Sequence, residues 1–165
     1  MTVRQSKAER DAHVRLLHAV ERVATLLTDA GMPPMASRVF AYALADDADR
    51  YTAAELAESL QVSPAAISGA VRYLLDTRLM FKDREPGRRA DVYRIYDDDV
   101  WSAIMLARLP MLEMWEGAVA DAAAMIGPGH RGGRRLRETQ EYFRFMRDET
   151  AAMVERWKAH RKTLS

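Results

Sequence analysis

The 165-residue sequence contains no cysteine. That absence excludes disulfides, thiolate metal sites and thiol-based redox sensing together, and it fits a reducing cytoplasm. No apolar run approaches the roughly 18 residues a membrane span needs. Residues 1–11 are polar, with no apolar signal core behind them, so a soluble cytoplasmic chain with no membrane partner is expected. The four histidines, His13, His18, His130 and His160, are scattered, and no two lie three or four residues apart. No metal site is expected from them. There is no glycine-rich phosphate loop and no nucleophile elbow, and the acidic residues fall at helix starts and on polar faces. No catalytic constellation and no cofactor site emerge, so the chain does not read as an enzyme.

An excess of charge of one sign is also missing. Lys plus Arg number 25 against 24 for Asp plus Glu, so the total names no partner and only the distribution is informative. Residues 61–95 carry seven cations and four anions, a net of +3. Residues 97–127 carry one cation and six anions, a net of −5. Hydrophobic residues at 48% and charged residues at 30% are an ordinary globular balance for one domain with an extension.

The apolar periodicity supplies the organisation. Leu16, Val20, Val23 and Leu27 recur at spacings of four and three, predicting an amphipathic helix over residues 7–30 that Gly31 ends. Pro33-Pro34 opens a second helix through Val39, Phe40, Ala43 and Leu44. Thr52 and Glu55 form a capping box for a third. Ser63-Pro64 then pairs an N-cap with proline at the first helical position, ahead of a stripe of Ile67, Ala70, Val71, Leu74 and Leu75. Two short helices joined by so brief a turn outline a helix-turn-helix.

After Leu79 the period changes to that of strands, over residues 80–84 and 91–96, joined by a basic turn containing Pro86-Gly87. A hairpin directly behind a helix-turn-helix makes a winged helix. Asp97-Asp98-Asp99 starts a further apolar helical stretch through Trp101, Met105, Leu109, Leu112, Trp115, Val119 and Ile126, which Pro110 must kink or split. Gly127-Pro128-Gly129 ends it, and a basic loop is expected from His130 to Arg135. In the last helix Leu136, Thr139, Phe143, Met146, Thr150, Met153 and Trp157 repeat with a period of seven, the pattern of a seam between packed helices. The expected fold is mainly α with a small β-hairpin wing. Residues 33–96 form the winged helix-turn-helix, and residues 7–30 and 97–165 form a helical dimerisation region.

The stretches 63–74 (Ser63-Pro64-Ala65-Ala66-Ile67-Ser68-Gly69-Ala70-Val71-Arg72-Tyr73-Leu74) and 86–94 (Pro86-Gly87-Arg88-Arg89-Ala90-Asp91-Val92-Tyr93-Arg94) resemble the MarR superfamily of transcription regulators. Within it, the GbsR-like branch is the most similar. The likeness runs from the first helix to the region of residues 143–157. It implies a homodimer held by terminal helices, with two recognition helices reading a pseudo-palindromic operator in double-stranded DNA. It also implies a repressor of its own or a neighbouring gene, released by a small apolar effector bound between the two regions.

With Ile67, Val71 and Leu74 turned inward, the outward face of the second helix of the motif is Ala65, Ala66, Ser68, Gly69, Arg72 and Tyr73. Small residues let a helix enter the major groove, where alanine meets thymine methyls and serine or arginine meets base edges and phosphates. Gly69 costs about 1 kcal/mol of helix stability, so a close approach is expected there. Ser63 at the helix start and Arg84, Arg88 and Arg89 of the wing complete the expected DNA site, the arginines suiting a narrow minor groove. The alternative for each is a solvated surface residue. For the whole motif the alternative is a winged helix that binds protein, but such a face needs apolar anchors and only Tyr73 qualifies. The arginines of residues 131–137 are read as a solvated run and kept out of the DNA site.

Expected interface residues are Leu16, Val20, Val23 and Leu27 in the first helix, and Leu136, Phe143, Met146, Met153 and Trp157 in the last. The effector pocket that the resemblance implies is assigned to Trp101, Met105, Met111, Met114 and Trp115. Ordinary core packing is the alternative for these five.

Overall fold

The computed structural model describes residues 7–83, 90–95 and 99–164. It divides into two compact units, residues 1–97 and 98–165.

In the first unit, helix α1 (Lys7–Asp29) lies along α2 (Pro34–Ala45). The turn between them follows from Gly31. Its backbone is left-handed (φ +99°), the Gly31 N–H reaches the Thr28 carbonyl at 2.9 Å, and the Met32 N–H reaches Leu27 at 3.0 Å. This pair of bonds satisfies the last carbonyls of α1, and glycine adopts the geometry without strain. Val20 and Ala24 of α1 and seven residues of α2, from Ala36 to Ala43, are buried. Glu21 and Arg38 bridge the two helices at 2.7 Å on the outside.

A two-residue strand β1 (Tyr51–Thr52) leads into α3 (Ala53–Ser59), and a short turn leads to α4 (Pro64–Asp76). The capping box is present: the Glu55 N–H donates to Thr52 Oγ1 at 3.2 Å, and the Thr52 N–H donates to Glu55 Oε2 at 2.6 Å. Ser63 Oγ caps α4 by accepting from the Ala66 N–H at 3.3 Å. The α3–α4 turn passes through Gln61 in the left-handed region (φ +54°), with the same pair of closing bonds as at Gly31. Strands β2 (Phe81–Asp83) and β3 (Val92–Arg94) form the hairpin, and the sheet order is β1-β3-β2, antiparallel throughout. Phe81 pairs with Arg94, Lys82 with Tyr93, and Asp83 with Val92; Tyr51 pairs with Tyr93 on the other side. The third strand, β1, is not among the expected elements, because two residues carry no readable period.

Leu56, Leu60, Ile67, Val71, Leu74, Met80 and Val92 are buried together with the α2 face. Each such side chain contributes about 1.5–3 kcal/mol on leaving water, which fixes the face that α4 turns inward. Tyr51 is buried edge-on to Tyr42, with ring centroids 5.8 Å apart. Its hydroxyl lies 2.6 Å from the Ala48 carbonyl and 3.0 Å from Asp46 Oδ2. Burial, reinforced by the Asp46 charge, pushes its ionisation far above the ordinary tyrosine range, so it remains a neutral donor that ties the loop before β1.

The second unit comprises α5 (Val100–Leu106), α6 (Leu109–Ile126) and α7 (Arg131–Arg161). Pro110 splits the middle stretch: α5 ends first, and the proline sits in the opening turn of α6, where no backbone donor is needed. Asp99 alone of the acidic triplet lies within the described residues, and it caps α5. The basic loop expected from His130 to Arg135 is instead helical from Arg131. Propensity disfavours a helix opening at Gly132-Gly133, but Gly133 is buried against the end of α6 and tertiary packing decides. Helices α6 and α7 form a hairpin clamped by Glu116, whose largely buried carboxylate accepts from Arg144 Nε at 3.0 Å and Arg147 Nη1 at 2.5 Å. No helix among the described residues is long and apolar enough to cross a membrane. The architecture is a winged helix-turn-helix, mainly α with a small antiparallel sheet.

Candidate nucleic-acid interface

Burial of Ile67, Ala70, Val71 and Leu74 leaves Ala65, Ser68, Gly69 and Arg72 exposed on the far face of α4, with Ala66 and Tyr73 half-buried beside them. This is the outward set expected from the sequence. Ser63 is exposed too, although its hydroxyl is already engaged as the helix cap. A β-carbon on Gly69 would meet nothing within 4 Å. Nothing among the described residues therefore requires glycine at this mid-helix position, and their packing does not offset its helix cost.

Salt bridges shape the charge of this half. Lys82 pairs with Asp91 at 2.7 Å and Arg94 with Asp83 at 2.6 Å, both across the hairpin. These pairs neutralise the base of the wing. Arg72 on α4 and Arg78 just behind it make no ion pair among the described residues, so their charge is open to a polyanion. The wing-tip arginines Arg84, Arg88 and Arg89 lie outside the described residues.

The expected interface positions fall into two groups. Val20 is fully buried inside its own chain and Leu16 and Leu27 are half-buried, while Val23 is 37% exposed. On α7, Phe143 packs on Trp115 of α6 at 5.5 Å, Trp157 donates to Asp99, and Leu136 and Met146 are half-buried. Much of the seven-residue seam is thus satisfied within the chain, and of its apolar positions only Met153 is widely open. The large exposed apolar side chains include Val14 and Leu26 on α1, Met114, Met125 and Ile126 on α6, and Tyr142 and Phe145 on α7. Of these, Ile126 belongs to an expected apolar stripe and Met114 to the expected effector pocket; sequence reasoning missed the others because they lie off the regular stripes, and their only signal is apolar character on a face otherwise read as polar.

The five residues assigned to an effector pocket are not brought together. Trp101 and Met105 line a groove of about 410 Å³ between α5 and α7, with Ser102, Met153, Val154 and Trp157. Met111, Met114 and Trp115 sit on α6 and do not line it. Met153 and Trp157, expected at a subunit interface, are walls of this groove.

Residues 99–160 match a family model described as MmpR5-like MarR family transcriptional regulator. No curated protein matches the chain. A solved structure described as the crystal structure of a transcriptional regulator superposes with a TM-score of 0.73 at 20% identity, covering 88% of this chain and 99% of that one. At that identity the likeness carries the fold. The family match falls on the helical second unit, while the stretches that resemble the MarR superfamily in sequence lie in the first.

Proposed function

We propose that the protein is a dimeric transcription regulator that binds a pseudo-palindromic DNA operator, acts as a repressor of its own or a neighbouring gene, and is released by a small apolar effector. The observation that carries this reading is the outward face of α4. A helix capped by Ser63 and buried along Ile67, Val71 and Leu74 presents only small residues, followed by Arg72, which makes no ion pair among the described residues. Such a face suits the major groove, where backbone proximity and a single long cation read base edges and phosphates. It lacks the cluster of large apolar anchors a protein partner would need. The wing residues Arg84, Arg88 and Arg89 are proposed to reach the adjacent minor groove.

Dimerisation is proposed through α1 and the α6–α7 hairpin. The exposed Val14 and Leu26 of α1 and Met114, Met125, Tyr142 and Phe145 of the α6–α7 hairpin are the apolar side chains proposed to be covered by a second copy. The groove between α5 and α7 is the proposed effector site, its size within the range of small-ligand pockets.

Binding to duplex DNA from the upstream region, and to duplexes selected from random sequence, tests the reading across several salt concentrations. Sequence-selective binding with a steep salt slope, weakened by Arg72→Ala and by the Arg88→Ala/Arg89→Ala pair, is expected. No selectivity in either experiment sinks it and points to a protein partner.

A further inference from the structure

Helix α4 has 13 residues, and its burial pattern limits what it can offer a base pair. Ala65, Gly69 and Arg72 follow one another along its outward face at spacings of four and three, with Ser68 beside them. Such a line runs about 10 Å along the helix axis. Asp76, one turn beyond Arg72, is exposed at the far end of the helix and repels a polyanion. Close approach to DNA therefore falls on the first two turns, the part of such a helix that meets base edges.

The hydrogen-bonding capacity of those two turns is small. Bidentate reading of guanine or adenine takes Arg, Lys, Asn or Gln, and reading of cytosine takes Asp or Glu. None of these stands between Ser63 and Val71. Ser63 Oγ already accepts the Ala66 N–H as the helix cap, and the one hydroxyl of Ser68 cannot form a bidentate pair. What the face has instead is apolar. The methyl of Ala65 is exposed, that of Ala66 is half-buried, and the open space at Gly69 lets the backbone come near. In the major groove the feature that answers a methyl is the C5-methyl of thymine, which cytosine lacks. Arg72 makes no ion pair among the described residues and suits a phosphate. Affinity and sequence reading thus fall to different residues of one face.

We propose that α4 reads its operator through thymine methyl groups, with Ala65 as the principal contact, Gly69 allowing the approach and Arg72 holding the phosphate backbone. The proposal rests on the DNA-binding reading above and names what that reading recognises: a half-site whose essential positions are thymines, or bases carrying the same 5-methyl group. The site is set by the winged helix-turn-helix that presents α4 and by the cation of Arg72. The small residues decide only what is read there.

Duplexes selected from random sequence with the full chain provide the test. In the selected half-site each dT is replaced in turn by dU, which deletes the methyl and leaves base pairing and phosphates unchanged. At one position or more, binding is expected to weaken about fourfold, the worth of one buried CH₂ group, with the salt slope unchanged. At that position 5-methyl-dC should bind about fourfold better than dC, for the same reason. Arg72→Ala is expected to weaken all duplexes alike and to lower the salt slope by about 0.9. In Ala65→Gly the dU penalty should fall below about twofold, because the methyl it was coupled to is gone. The dU duplexes are read with the wild-type chain, so the outcome does not depend on any variant folding. If every dU duplex binds as tightly as its dT parent, the proposal is overturned and the reading passes to DNA shape. An undiminished dU penalty in folded Ala65→Gly overturns the role of Ala65 as well. If the wild type selects no duplex, the DNA-binding reading fails and methyl recognition falls with it, whereas selection without thymine dependence sinks methyl recognition alone.

Discussion

Gly133, near the start of α7, lies against the carbonyl of Gly127, the residue that closes α6: a β-carbon on Gly133 would fall 2.0 Å from that oxygen and 3.1 Å from its carbon. Both atoms belong to the backbone, so neither can move without shifting the α6–α7 turn. Gly133→Ala is therefore expected to destabilise the protein by about 1–3 kcal/mol, the usual cost of overpacking. Gly132→Ala is the control. Its β-carbon would meet only Ile126 at 3.9 Å, and alanine gains about 0.5–1 kcal/mol over glycine inside a helix. Urea unfolding of the two variants should move the midpoint in opposite directions.

Gly69 is the opposite case, with open space where its side chain would be. Gly69→Ala is expected to stabilise the fold by about 1 kcal/mol. Under the proposed function the added methyl stands between α4 and the DNA, so operator affinity should fall in the same variant. A thermal shift upward with unchanged operator affinity would remove Gly69 from the interface.

The α3–α4 turn carries an avoidable cost. Gln61 is exposed and held at φ +54°, a conformation that costs a residue with a β-carbon roughly 1–2 kcal/mol. Gln61→Gly relieves this strain and should raise stability by about 0.5–1 kcal/mol, the glycine's extra unfolded-state freedom offsetting part of the gain. Denaturant titration checks it, and a loss of stability would mean that the Gln61 side chain contributes contacts of its own.

The carboxyl of Asp99 supplies a pH dependence. Partial burial raises its pKa, but hydrogen bonds from Ser102 and Trp157 and the charge of Arg161 outweigh this and hold it below the ordinary aspartate value of 3.8. A depressed pKa in the folded state adds stability above the unfolded value, and that stability is lost as pH falls through the folded one. The stability difference between wild type and Asp99→Asn should be constant at neutral pH and shrink only below about pH 4. Unfolding midpoints from pH 7 down to pH 3 measure it.

Phe145 on α7 is 60% exposed within one chain. Phe145→Asp should leave unfolding of the isolated chain within about 0.5 kcal/mol, as surface changes do. It should weaken self-association at least about tenfold if that face meets a second copy, since a charge in an apolar interface core is costly. Sedimentation equilibrium separates the two effects.

The contrast between α4 and α7 shows where sequence reading holds. Around α4 everything needed is local. Ser63 and Pro64 set the start, and Ile67, Val71 and Leu74 recur on one face, so the buried and outward sets follow from the helical period alone. The Thr52–Glu55 capping box is equally local, both partners lying one turn apart.

For α7 the local signals mislead, because Gly132 and Gly133 read as loop and are helical through a contact with Gly127 that no window of sequence reveals. The period of seven from Leu136 to Trp157 was legible, but not what it meets. Phe143 finds Trp115, Trp157 finds Asp99, and the methionines and tryptophans assigned to one pocket divide between a groove and the face of α6. Caps, turns and periodicity act within a few residues, so most of the helices, the β2–β3 hairpin and the face that α4 presents follow from local sequence. Which apolar side chains are buried inside the chain and which remain at its surface depends on pairs of residues far apart in sequence, which meet only in the folded chain.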